Sequence, residues 1–211
     1  MDEAPIEIVV VDHGTGNIAS LEQALLHVGA VPVRTSEAKV VASGRAAVLP
    51  GVGAFPLAME NLRRLDLVEP LVELASSGRP LLGICLGLQL LFEGSTEMGG
   101  AEGLGLLPGQ VRPLDVHDER LPHIGWASVR WERPHAVRGS LADGTPMYHV
   151  HSFAPVPTDP EDVLATAVHG TRFVTAAARG SVTGVQFHPE KSSVDGLELV
   201  GNFVRWAGSP E

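Results

Sequence analysis

Pro80-Leu81-Leu82-Gly83-Ile84-Cys85-Leu86-Gly87-Leu88-Gln89-Leu90-Leu91-Phe92-Glu93 is the stretch on which the reading of this chain turns. Its first half is a short apolar run, the pattern of a strand covered on both faces of a sheet. Its second half, from Leu88 to Glu93, consists mainly of good helix formers. Between the two lies G-x-C-x-G. A strand that becomes a helix within so few residues needs small side chains on both sides of the bend, and the central side chain is then thrust into the cleft above the sheet.

Working outward toward the N-terminus, Ile6 to Val11 is a run β-branched at every position but Glu7, read as a second buried strand, and Asp12-His13-Gly14-Thr15-Gly16-Asn17 is the turn after it. Ile18, Leu21, Leu25 and Val28 recur at helical steps, and Gly29 supplies a C-cap stop. Val31 to Arg34 and Ala46 to Leu49 read as strands, Pro50-Gly51-Val52-Gly53 as a turn, and the stretches through Met59 and Leu62 and through Leu71 and Leu74 as helices ending before Gly78. Such alternation predicts a mostly parallel sheet with helices on both faces, in which sites lie at the carboxyl ends of the strands. The later half is more polar. Val129-Arg130-Trp131, Met147-Tyr148-His149-Val150 and Phe173-Val174-Thr175 suit antiparallel additions, Ser181 to Phe187 a final strand, and Leu197, Val200 and Val204 a closing helix. With no repeat, low-complexity tract or dividing linker, residues 1–211 are expected to form a single domain.

With 44% hydrophobic and 19% charged residues, the chain has the material for a substantial core. A formal net charge of -10 opposes sequence-independent binding to nucleic acid or to an anionic membrane. The acidic start Met1-Asp2-Glu3-Ala4-Pro5 lacks the basic and apolar regions of a secretion signal, and no apolar run approaches membrane-spanning length, so a cytoplasmic location is expected. A lone cysteine makes neither an intramolecular disulfide nor a zinc knuckle. Cys85 is therefore either a buried small hydrophobe or a chemical group.

The bend favours chemistry. Its serine counterpart is the nucleophile elbow, and a helix N-terminus offers free N–H groups and partial positive charge to an anion. For thiols in general, lowering a pKa of about 8.5 by about two units yields roughly 25-fold more thiolate at pH 7. A Brønsted slope of about 0.4 to 0.5 then leaves only about threefold in rate. Oxyanion donors, at roughly a hundred- to a thousandfold each, weigh more. Pro50-Gly51-Val52-Gly53 is a candidate source, because its glycines let backbone N–H groups approach a ligand and turn toward or away from it; the amide of Leu86 is the other. Taken alone, a PGxG stretch is equally a tight turn. Of the nine histidines, His27 and His169 sit in ordinary helix or strand contexts and His117, His123 and His135 in polar connecting stretches. His188 follows the last strand directly, and Glu190, two residues on, can hold one of its ring nitrogens. The same His-Pro-Glu string is also compatible with a surface turn.

Together, Pro50-Gly51-Val52-Gly53, Gly83-Ile84-Cys85-Leu86-Gly87-Leu88-Gln89 and Gly184-Val185-Gln186-Phe187-His188-Pro189-Glu190 closely resemble the motifs of class I, or triad-type, glutamine amidotransferases, in family order across nearly the whole chain. The resemblance implies a flavodoxin-like α/β fold: three layers, a mostly parallel sheet flanked by helices, and an added antiparallel portion. It implies hydrolysis of L-glutamine through a γ-glutamyl thioester on Cys85, with His188 as base then acid and Glu190 orienting it. Gly53 and Leu86 would form the oxyanion hole, and Gln89, Ser152 and Phe153 would hold the substrate. No metal or other cofactor is implied.

Four further stretches are similar to the glutaminase subunits of imidazole glycerol phosphate synthases: Asp12 to Asn17, Pro122-His123-Ile124-Gly125-Trp126, Tyr148-His149-Val150-His151-Ser152 and His188-Pro189-Glu190-Lys191-Ser192-Ser193. His13 departs from the tyrosine common at its place. That resemblance implies ammonia transfer to a (βα)8-barrel cyclase subunit, which makes imidazole glycerol phosphate and AICAR in histidine biosynthesis. At 211 residues the chain leaves no room for the barrel, so a heterodimer is expected, with Asn17, Trp126, Tyr148 and Lys191 facing the partner. For Trp126 and Tyr148 core packing is the other reading. The glutaminase of an anthranilate, aminodeoxychorismate or guanylate synthase shares the triad and stands as the alternative.

Overall fold

The computed structural model describes residues 5–117 and 119–209; Met1 to Ala4 of the acidic start lie outside the described residues. In chain order the elements are β1 (Glu7–Val11), α1 (Ile18–His27), β2 (Val31–Thr35), α2 (Ala38–Ser43), β3 (Ala47–Gly51), α3 (Phe55–Arg64), α4 (Val68–Ser76), β4 (Leu81–Cys85) and α5 (Leu86–Leu90). There follow β5 (Phe92–Ser95), β6 (Ala101–Glu102), β7 (Leu107–Pro113), β8 (His123–Trp131), β9 (Thr145–His151) and β10 (Phe153–Pro157). The chain closes with β11 (Val163–His169), β12 (Thr171–Arg179), β13 (Val182–Val185) and α6 (Ser193–Gly208).

Nine strands form one sheet in the order β2-β1-β3-β4-β13-β12-β11-β8-β9. From β2 to β13 all neighbours are parallel; from β13 to β9 all are antiparallel. This is the expected α/β architecture with its antiparallel extension. The two faces follow from strand periodicity, since successive side chains point to opposite sides. Ile8, Val10, Val48, Leu82 and Ile84 pack with α1 and α6, whereas Val9, Val11, Ala47, Leu49 and Leu81 pack with α2, α3 and α4. Three layers result. The helix stop foreseen at Gly29 is present, with φ of 86°.

Two features differ from the expectation. The helix after Cys85 ends at Leu90, and Phe92 is already in a strand. The carbonyl of Leu90 accepts from Leu104 N at 2.9 Å and that of Leu91 from Leu107 N at 2.9 Å, so returning chain captures the acceptors that a longer helix would use. That returning chain builds the second feature, a small sheet ordered β10-β7-β5-β6 that closes over α5. Among the described residues, no helix is long and apolar enough to cross a membrane.

Candidate active site

Three strand ends meet above the sheet. Gly51 ends β3 beside Cys85 at the end of β4, and Ile84 pairs with Val185 at the end of β13. Cys85 is the N-cap of α5 at φ 56° and ψ -111°, a conformation that favours glycine and costs of order 1–3 kcal/mol for other residues. The flanking glycines explain how the bend is tolerated. A Cβ on Gly87 would lie 1.8 Å from the Leu49 carbonyl oxygen, one on Gly83 2.7 Å from the Gly87 backbone, and one on Gly184 2.5 Å from the Leu88 side chain. Backbone packs directly on backbone here, and the strain at Cys85 is held by contacts that no larger residue permits.

The Cys85 side chain is buried, with Sγ 3.8 Å from the Val150 carbonyl oxygen. It opens into a pocket of about 290 Å³ whose wall also includes Gly53, Leu86, Gln89, Glu97, Ser152, Phe153, His188 and Lys191. A larger groove, of about 1070 Å³, runs past the other end of β1 beside Val9, Arg45 and Ser209, and its lining has neither cysteine nor histidine.

His188 is fixed from several directions. Its backbone N–H donates to the Tyr148 carbonyl at 2.8 Å, and its own carbonyl accepts from Ser192 Oγ at 2.7 Å. Its ring Nδ1 lies 2.9 Å from Glu190 Oε1, both side chains being almost wholly buried. With Nδ1–H given to the carboxylate, Nε2 is left for the sulfur. Burial pushes the His188 pKa down, but hydrogen bonds to Cys85 and Glu190, with their charges, override it and raise it to about 9. Asn17 Nδ2 stands 3.5 Å from the same Glu190 oxygen, and Glu190 Oε2 is buried without a partner among the described residues.

The residues singled out in the sequence fall into three groups. Cys85, His188, Gly53, Leu86, Gln89, Ser152, Phe153 and Lys191 share the pocket wall. Glu190 and then Asn17 stand behind His188. Trp126, 53% exposed, and Tyr148, half-buried with its ring centroid 5.9 Å from that of Trp126, lie outside the pocket. Core packing is thereby ruled out for Trp126. The departure at His13 has a clear setting: the ring is fully buried, Nε2 donates to the Pro50 carbonyl at 2.8 Å, and desolvation lowers its pKa, which keeps it neutral. It braces the start of the glycine loop.

Sequence reasoning missed Glu97, Gln186 and a buried histidine cluster. Glu97 reaches the pocket from a 3-10 turn, where its carboxylate also accepts from Phe55 N at 2.8 Å; nothing in the local sequence signals this. Gln186 stood in a quoted motif, between strand and histidine, without a role. His123, read as lying in a polar connection, is on β8 and 5% exposed, because the inward face of that strand carries His123, Ala127, Val129 and Trp131. It stacks between His149 and His169, and burial lowers the pKa of His123 to about 4, of His149 to about 3 and of His151 to about 4. These rings are neutral beside a His188 that is not. Among the described residues, no grouping of three His, Cys, Asp or Glu side chains suits a metal ion.

The sequence matches the family model described as glutamine amidotransferase class-I over residues 9–206. It is 46% identical over 196 residues to imidazole glycerol phosphate synthase subunit HisH of Bacillus cereus (strain G9842), covering 93% of each chain. Identity to the subunit of the same name from Moorella thermoacetica (strain ATCC 39073 / JCM 9320) is 45% over 205 residues, 96% of this chain and 97% of that one. Among solved structures, PurLQS from Thermotoga maritima aligns with a TM-score of 0.76 at 18% identity, covering 96% of this chain and 99% of that chain. A structure described as glutamine amidotransferase aligns at 0.73 and 20% identity, with coverage of 96% and 99%. At those identities the structural likeness speaks for the fold alone.

Proposed function

The chain belongs to the class I glutamine amidotransferases, and we propose that it is the glutaminase subunit of an imidazole glycerol phosphate synthase, working as one domain over residues 1–211. Identity of 46% across 93% of a subunit bearing that name supports the assignment. The observation that carries the chemistry is the His188–Glu190 pair, 2.9 Å apart and buried behind the strained Cys85.

In this reading glutamine enters the pocket with its carboxamide at Cys85. The α-carboxylate meets the backbone at Ser152 and Phe153 near Lys191, Glu97 presents a carboxylate to the α-ammonium, and Gln89 contributes to the wall. With its proton passed to His188, which acts first as base, the Cys85 sulfur adds to the amide carbon, and the charge that moves onto oxygen is met by the N–H groups of Gly53 and Leu86. His188, an imidazolium at neutral pH with its pKa near 9, gives its Nε2 proton to the amide nitrogen. The C–N bond breaks, ammonia departs and a γ-glutamyl thioester remains. Water then attacks with His188 as base, the C–S pair returns to sulfur and glutamate leaves. Glu190 holds Nδ1–H and so keeps the ring in one tautomer throughout. No metal or organic cofactor takes part.

Ammonia is then passed to a separate (βα)8-barrel cyclase subunit in a cytoplasmic heterodimer that makes imidazole glycerol phosphate and AICAR for histidine biosynthesis. Trp126, Tyr148, Lys191 and Asn17 serve the partner side. Supporting this, Ile124 and Trp126 expose 61% and 53% of their surface on one face of β8, an apolar pairing typical of interface anchors. The test joins chemistry to partner. Mixed with the barrel cyclase, the protein is expected to give glutamine-dependent product, and Cys85→Ala to abolish glutamate release. Product formation with an anthranilate-type synthase and none with the cyclase would replace this reading by its alternative, and undiminished glutaminase in Cys85→Ala would remove Cys85 as the nucleophile.

A further inference from the structure

Gln186 follows β13 directly and is fully buried. Among the described residues its side chain has two hydrogen-bond partners: Oε1 accepts from Gln89 Nε2 at 3.0 Å, and Nε2 lies 3.8 Å from Cys85 Sγ. An amide looks alike from either end, so what matters is which end meets the sulfur. Here a backbone group decides. Gln89 Nε2 is also 3.1 Å from the Phe153 carbonyl oxygen, which only accepts. Gln89 must therefore turn its NH2 toward that carbonyl, and the second hydrogen of the same NH2 requires an oxygen from Gln186. Reversing either amide would set NH2 against NH2 or oxygen against oxygen. The Phe153 carbonyl is itself tied by His151 Nδ1 at 2.9 Å. The N–H of Gln186 is thus aimed at the sulfur by a chain of contacts that begins in the main chain.

We propose that Gln186 is a further catalytic residue, a hydrogen-bond donor to the Cys85 sulfur that acts chiefly when the thioester is broken; this rests on the glutaminase reading above. The timing follows from where charge develops. During acylation sulfur gives up electron density to the amide carbon, so a donor at sulfur assists little. During hydrolysis water oxygen bonds to the acyl carbon, its proton goes to His188, the C–S bond breaks and the electron pair arrives on sulfur. A donor already in place then stabilises what is being formed.

Gln186→Met keeps the length and removes the donor; Gln186→Glu keeps an acceptor for Gln89 and presents oxygen to the sulfur. With the cyclase partner present, each is expected to lower kcat for glutamate release by roughly tenfold, the scale of one hydrogen bond to a charged group. KM should fall with it, leaving kcat/KM, which reports acylation, nearly unchanged, and mass spectrometry of acid-quenched protein should show more Cys85 carrying the γ-glutamyl group. A fall in kcat/KM without extra acyl-enzyme would mean that Gln186 only shapes the site, and unchanged kinetics would mean that it does nothing; either overturns the proposal. Should Gln186→Met fail to fold, Gln186→Glu decides by the same two readings. Failure of the unsubstituted protein to release glutamate through Cys85 would instead sink the glutaminase reading itself.

Discussion

Glu190 gives one oxygen to His188, with Asn17 beside it, and holds the other buried and without a partner among the described residues. A carboxylate in that position does two things for the ring: it fixes which nitrogen faces the sulfur, and, against burial, which pushes the pKa down, it joins Cys85 in lifting it from 6.5 to about 9. Glu190→Gln keeps the shape and removes the charge. Burial of the ring then goes unopposed on that side, so the alkaline limb of kcat, set by loss of the His188 proton, should move to lower pH. Activity at the optimum should fall by roughly a hundred- to ten-thousandfold, as for other bases deprived of their orienting carboxylate. Stability changes in step. A group whose folded pKa is raised contributes fully below its unfolded value and loses that contribution as pH rises through the folded value. The parent protein should therefore lose stability between about pH 6.5 and pH 9, and Glu190→Gln should flatten that slope. Urea unfolding across this range and a pH–rate profile check both; an unmoved alkaline limb would mean that another group sets it.

At the scale of elements, the decisive unit is the β4–α5 bend, whose cost in backbone strain is offset by close packing against β3. Gly87→Ala would place its Cβ 1.8 Å from the Leu49 carbonyl oxygen, on a backbone that has nowhere to move. The expected outcome is destabilisation of about 3 kcal/mol or more, read as a drop of several degrees in thermal unfolding. A variant with unaltered unfolding would show that the bend yields without cost and does not depend on this packing. This bend was legible because strand, glycines and helix formers are contiguous in sequence. So were the parallel strands, whose two-sided burial leaves unbroken apolar runs such as Val9-Val10-Val11. Less local features were not. The length of α5 is set by the chain at residues 104–107, which takes the carbonyls of Leu90 and Leu91. β8 defeats reading by periodicity, because it buries His123 and exposes Ile124 and Trp126. Glu97 reaches the pocket, and Gln186 the Cys85 sulfur behind it, through tertiary contacts with Phe55 and Gln89, which no nearby residue announces.

Across the whole molecule, that inverted strand connects an outer surface with the catalytic turn. Trp126 pairs with Tyr148 and Ile124 with Val150 along β8 and β9. The Tyr148 carbonyl accepts from His188 N at 2.8 Å, its N–H donates to Ser192 Oγ at 2.9 Å, and Ser192 in turn holds the His188 carbonyl. A partner seated on the exposed Ile124 and Trp126 is therefore one strand away from the histidine, through hydrogen bonds that leave little slack. Trp126→Ala removes an exposed anchor and nothing from the core, so the isolated protein should unfold at the same temperature. Its affinity for the barrel cyclase should fall by about 2 kcal/mol, roughly thirtyfold, by calorimetry or sedimentation. Leu26→Ser, equally exposed at 51% but at the far end of α1, is the control and should bind normally. Glutamine-dependent product formation by Trp126→Ala should be low at partner concentrations that saturate the parent protein and recover when more cyclase is added. If affinity is unchanged, the apolar face of β8 is not the docking surface; if binding weakens but activity does not recover at saturation, Trp126 acts on the turn itself and not only through occupancy.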